Sequence, residues 1–169
     1  QFEWFKDSVT FEISEDGLMV QIIDRENRPL FDSGDARLRP YALEILWSIG
    51  EIFGTVPNKI SVFGHTDSAP FGTSDTYSNW ELSSDRANSA RRALVDGGVR
   101  PEQLAQIIGM ADSVPMDASN PLNPANRRIV IMVLNAVAES NLDAQSEAGL
   151  SAGTPPPELI PDPEPLEIF

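Results

Sequence analysis

The sequence predicts an α/β fold, a two-layer sandwich in which a mixed β-sheet carries helices on one face. Three observations point there. Two apolar-rich runs, 8–13 and 18–24, flank Asp16-Gly17, a step that favours a hairpin. From Pro40 onward apolar residues recur at helical spacing. Two more apolar runs, 59–64 and 128–134, have the length of buried strands and are separated by a second helical stretch.

Taken in order, Trp4 and Phe5 (with Phe2 before them) form an aromatic lead-in suited to packing. In the second hairpin strand Leu18, Val20 and Ile22 alternate with Met19, Gln21 and Ile23, which fits one well-buried face. The first helix presents Tyr41, Ile45, Ile49 and Ile52, widened by Leu43, Leu46, Trp47 and Phe53. Pro40 suits its first turn, and Gly54 with Pro57 marks its end. Burial habits of aromatic residues assign Tyr41 and Trp47 to the core. The next strand, 59–64, enters a polar loop over 68–76. A second helix opens near Ser78, where Ser78 and Glu81 have capping-box spacing, and stops at Gly97-Gly98. A helical turn over 101–104, a strand over 106–110, a loop over 112–125 and a last strand over 128–134 complete the fold. The stretch 136–150 extends into a polar helix. The proline- and acid-rich stretch 154–169 reads as an extended, disordered tail. The resulting division is an extension with the first hairpin strand (1–17), a folded domain (18–135), and a polar helix with tail (136–169).

Composition narrows the function. The 169 residues are 41% hydrophobic, enough for a real core, yet carry a formal net charge of -14 with a pI near 4.3. A chain so acidic is repelled by nucleic acid and anionic membrane surfaces. The absence of cysteine removes disulfides and thiolate metal sites. No apolar run approaches the roughly 20 residues that cross a bilayer. A chain opening at Gln1 with no leader pattern is expected to be a processed or excerpted piece, with any anchor upstream.

The chemistry concentrates at Gly64-His65-Thr66-Asp67 and the helix after it. His65 is the lone histidine; no second histidine or nucleophile turn accompanies it, so a structural role at the strand end is favoured over catalysis. Asp67 is either a turn-former for the bend at Ser68-Ala69 or a ligand carboxylate. Arg86 either pairs on the surface with Asp85 or Glu81, or turns its planar fork to the loop, where it can take a carboxylate bidentately. An acid and a guanidinium so placed can hold a zwitterion between them. Alternation along the last strand sends Arg127 and Arg128 to opposite faces, one toward a site or buried carboxylate. No phosphate-cradling glycine motif occurs, and no cofactor or metal is expected.

Gly64-His65-Thr66-Asp67, Asn79, Leu82-Ser83, Arg86-Ala87 and Asn126-Arg127-Arg128 together resemble the OmpA-like peptidoglycan-binding family, over about 18–134. Gln21-Ile22-Ile23-Asp24, the run from Asn27 to Phe31 and Tyr77-Ser78-Asn79-Trp80-Glu81-Leu82-Ser83 are most similar to its flagellar-stator members. The resemblance implies an OmpA-like sandwich and a ligand, the stem peptide of peptidoglycan, whose meso-diaminopimelate ends in an ammonium and a carboxylate. It implies Asp67 and Arg86 as the principal ligand-binding residues, with Thr66, Asn79, Asp32 at the edge, and Arg127 or Arg128. It further implies a homodimer, a periplasmic location tethered upstream to the inner membrane, and a membrane partner subunit of the stator. The loop over 68–78 is longer than in outer-membrane members, which alters the pocket rim. The expected function is non-catalytic anchoring of an envelope complex, most simply the flagellar stator, to the cell wall. The alternatives are an envelope anchor unrelated to the flagellum, a wall hydrolase using His65 and Asp67, and a partner-binding domain using the acidic tail.

Overall fold

The computed structural model describes residues 3–70 and 76–152, with backbone only at 150–152. Phe2, the middle of the loop after Pro70 and the tail over 154–169 lie outside the described residues. Strands β1 (Val9–Ser14), β2 (Gly17–Ile23), β3 (Ile60–His65), β4 (Leu104–Gly109) and β5 (Arg128–Leu134) form one sheet in the order β1-β2-β5-β3-β4. Only the β3–β4 pair is parallel; β5 runs antiparallel to both its neighbours, β2 and β3. The sheet is therefore mixed, as the sequence predicts.

Strand parity divides the sheet cleanly. Val20 and Ile22, Ile60 and Val62, and Ile129 and Ile131 point to one face and are at most 1% exposed. There they meet Ala42, Ile45, Leu46 and Ile49 of α1 (Pro40–Phe53) and Ala87, Ala90, Ala93 and Leu94 of α2 (Asn79–Gly97). Each large aliphatic side chain so buried contributes about 1.5–3 kcal/mol. The third helix, α3 (Ala136–Ala152), borders a groove on the reverse face with Ser61, Phe63 and Met132.

Glycines let the layers close. A Cβ at Gly64 would stand 2.1 Å from the Ser83 carbonyl oxygen, and one at Gly109 2.1 Å from Ser84 Oγ. Helix α2 thus lies directly on β3 and β4, which fixes what its inner face presents at the strand ends. In the hairpin, Gly17 falls just past a turn made by Glu15 and Asp16, pairs with Ser14 and adopts φ 139°. The predicted capping box is formed: Ser78 caps α2, and Glu81 reaches back to the Ser78 amide at 2.6 Å.

The expectation for Trp47 fails. Its side chain is 44% exposed, because α1 and α2 meet backbone to backbone there: a Cβ on Gly97 would lie 2.7 Å from Trp47 Cα. The buried stripe of α1 runs instead through Ala42, Ile45, Leu46, Ile49 and Phe53, and Ile52 faces outward. Tyr41 is half-buried and donates its hydroxyl to Ser8 Oγ at 2.8 Å.

Candidate functional site

The site forms where three neighbouring strands reach one end of the sheet. Strand β2 ends into Asp24 and β3 into Thr66 and Asp67, while Arg127 immediately precedes β5. Because β5 is antiparallel and lies between the other two, its entry meets both exits. Arg127 donates from Nε to Asp24 Oδ2 at 2.6 Å and from Nη1 to Asp67 Oδ2 at 2.7 Å. Burial alone would lower the Arg127 pKa, but these two carboxylates outweigh it and raise it.

The remaining carboxylate oxygens hold loops in place. Asp24 Oδ1 accepts from the Leu30 amide at 2.8 Å, and Asp67 Oδ1 from the Ala69 amide at 3.0 Å. Asp67 is thus both the turn-former and a site carboxylate. Asn79, the first residue of α2, donates to the carbonyls of Asp67 (3.3 Å) and Ala69 (3.0 Å), clamping the same bend.

Arg86 comes in from α2 and is only 6% exposed. Its Nε donates to the Asp35 carbonyl at 2.9 Å, and its guanidinium lies 4.7 Å from the centre of the Phe31 ring. It pairs with neither Asp85 nor Glu81, and among the described residues no carboxylate lies within ion-pair distance of it. Burial lowers its pKa, Asp24 and Asp67 oppose that fall, and Arg127 adds to it.

Asp67 and Arg86 face one cavity of about 330 Å³ without bonding each other; Thr66, Asn79, Asp32, Arg127, Asp24 and Phe31 also line it. The hydroxyl of Thr66 is buried in its wall with no hydrogen-bond partner among the described residues. Asp32 sits at the rim, paired with Arg39 at 3.2 Å, both side chains largely exposed.

Arg128 is the residue that the strand turns away. It points to the reverse face and donates to Gln21 Oε1 (3.2 Å) and to the carbonyls of Asn126 (3.2 Å) and Val114 (2.9 Å). Its cross-strand neighbour is His65, whose buried Nδ1 has no hydrogen-bond partner among the described residues. Burial, and then the Arg128 charge, lower the His65 pKa from 6.5 to about 4, so the imidazole is neutral at physiological pH. His65 does not line the cavity and makes no bond to Asp67, so the geometry assembles no His65–Asp67 pair.

Asp24 and Phe31, both in the cavity wall, carry no role in the sequence reading. Asp24 had a usable signal, an acid just past a buried strand, the same feature that marks Asp67. Phe31 had none, since its place under Arg86 depends on how the loop before α1 folds.

These elements define a class: a single α/β sandwich with a polar, charge-balanced cavity at one end of its sheet. The OmpA family model matches residues 30–128, and the chain belongs to the OmpA family. Motility protein B of Escherichia coli (strain K12) is 39% identical over 154 residues, which is 89% of this chain and 50% of that protein. The chain therefore spans about half the length of that relative. Among solved structures, the periplasmic domain of Helicobacter pylori MotB superposes with a TM-score of 0.67 at 20% identity, covering 88% of this chain and 93% of that one. The cell wall anchor of the T6SS from Pseudomonas aeruginosa superposes with a TM-score of 0.64 at 28% identity, covering 76% and 88%.

Proposed function

We propose that the cavity holds the meso-diaminopimelate of a peptidoglycan stem peptide, and that the chain anchors a flagellar stator to the cell wall without catalysis. The observation that carries this reading is Arg86: a buried cation with no carboxylate within ion-pair distance among the described residues, in a cavity that Asp24 and Asp67 also line. A buried unpaired charge is costly, and a ligand carboxylate would relieve that cost with a charge-assisted, bidentate contact. The ligand ammonium then falls to Asp67 and Asp24, whose lone pairs Arg127 only partly occupies. Thr66 supplies a hydroxyl for a neutral amide of the peptide.

Similarity to Motility protein B supports the stator assignment; a periplasmic location, an upstream membrane tether, a membrane partner subunit and a homodimer are parts of the same proposal. Similarity to a type VI cell wall anchor favours a second reading, in which the same grip serves an envelope complex other than the flagellum. Purified sacculi should retain the wild-type chain on sedimentation, and Arg86→Ala or Asp67→Ala should each release it while circular dichroism shows a folded protein. Retention of both variants at the wild-type level would refute the cavity as the wall site. Restoration of swimming in a stator-deficient cell, by a full-length protein carrying this domain, separates the flagellar reading from the second one.

A further inference from the structure

Trp80 is 55% exposed on the first turn of α2, one residue after Asn79. It shares a shallow groove with Tyr77, Glu81, Ser84 and Asp85 that lies outside the cavity. An indole left this open is unusual for a residue that normally buries most of its surface. Trp80 is not among the buried residues of α2, whose apolar members are Leu82, Ala87, Ala90, Ala93 and Leu94. The polar groups around it are ordered. The Tyr77 hydroxyl donates to Asp85 Oδ2 at 2.6 Å, and the Ser84 hydroxyl donates to the Trp80 carbonyl at 2.8 Å. Burial, and then the Asp85 contact, push the Tyr77 pKa up to about 12, so the phenol keeps its proton and remains a donor.

We infer that this groove is a saccharide subsite, in which Trp80 stacks on the glycan strand to which the cavity-bound peptide is attached. A pyranose ring offers an apolar face of C–H groups and a rim of hydroxyls. An exposed indole flanked by carboxylate and hydroxyl acceptors matches both. Glu81 and Asp85 repel phosphate-bearing ligands but not neutral N-acetylated sugars. The spacing agrees as well. Arg86 reaches the cavity six residues along α2 from Trp80, a rise of roughly 9 Å at 1.5 Å per residue. Diaminopimelate is the third residue of the stem, and the first three stem residues, diaminopimelate included, span at most about 10 Å when extended. The inference rests on the stem-peptide reading of the cavity and extends it to the polymer backbone.

The test compares two soluble probes by calorimetry on the full chain. One is the free stem tetrapeptide containing meso-diaminopimelate; the other is the same tetrapeptide on its N-acetylglucosaminyl-N-acetylmuramyl disaccharide. The wild type should bind the disaccharide form about five- to tenfold more tightly, as one aromatic contact supplies. Trp80→Ala should lose that gain and bind the free peptide unchanged, and Trp80→Phe should keep part of it. Equal wild-type affinities for the two probes would overturn the subsite and leave the peptide cavity standing. A gain that vanished at high salt would mark the groove as a cation site and also overturn it. Wild-type binding to neither probe would overturn the cavity reading and the subsite together.

Discussion

Arg127 and Arg128 are adjacent in the chain, yet they stand on opposite faces of the sheet in different surroundings. On the cavity face Arg127 is held by two carboxylates, from Asp24 and Asp67. On the reverse face Arg128 has no carboxylate partner among the described residues; it donates to two carbonyls and a side-chain amide, beside a neutral histidine. The cavity face therefore has its charge arranged around a space, while the reverse face spends its arginine tying a loop to the sheet. One step along a strand separates a site residue from a structural one.

The largest expected effect breaks the cavity side of this contrast. Arg127→Ala leaves Asp24 and Asp67 facing each other with no cation between them. It should cost roughly 3 kcal/mol in urea unfolding, the lower end for breaking a buried pair, because the Arg127 side chain keeps 28% exposure. Arg127→Lys should recover only part, since one ammonium lacks the fork that spans both carboxylates. A loss below about 1 kcal/mol for Arg127→Ala would mean the pairs are worth no more than surface bridges.

The next effect belongs to the reverse face and reads out with pH. Folded His65 has its pKa lowered from 6.5 to about 4, so the unfolded chain binds a proton across that window and the folded one does not. Stability from this group is fully present above pH 6.5 and falls as the pH drops toward 4. The loss should amount to about 3 kcal/mol, with no further contribution from His65 below that. His65→Gln should flatten this part of the curve. Arg128→Gln should narrow it, because the Arg128 charge is one cause of the lowered pKa. An unchanged profile in His65→Gln would assign the acid sensitivity to other groups.

Smaller effects sharpen the contrast within the cavity side. Ser78→Ala removes the cap of α2 and should cost about 1 kcal/mol, seen as a lower thermal midpoint. It should weaken peptide binding as well, because Asn79 clamps the Asp67 bend from that first turn. Asp32→Asn should change stability by less than about 0.5 kcal/mol, since its bridge to Arg39 is largely exposed. Set against the buried Asp24, that result would show that position at the cavity, not charge alone, sets the energetic weight.

Local features were legible in the sequence. The 128–134 strand, the Ser78–Glu81 box, Pro40 at the start of α1 and the hairpin at Gly17 depend on near neighbours and match the structure. Six of the seven residues singled out, Thr66, Asp67, Asn79, Arg86, Asp32 and Arg127, line one cavity, and the seventh, Arg128, does not. The partners were not legible. That Arg127, and not Arg86, bonds Asp67 follows from β5 inserting between β2 and β3, a pairing across 60 residues of chain. Trp47 was misassigned for a similar reason: a period within one helix cannot report that Gly97 of another occupies its backbone.

The triad of Asp24, Arg127 and Asp67 also has a mechanical meaning. It straps together the ends of β2, β5 and β3, the three central strands, at the edge of the cavity. A pull on a ligand seated there would be passed to all three strands at once instead of to one.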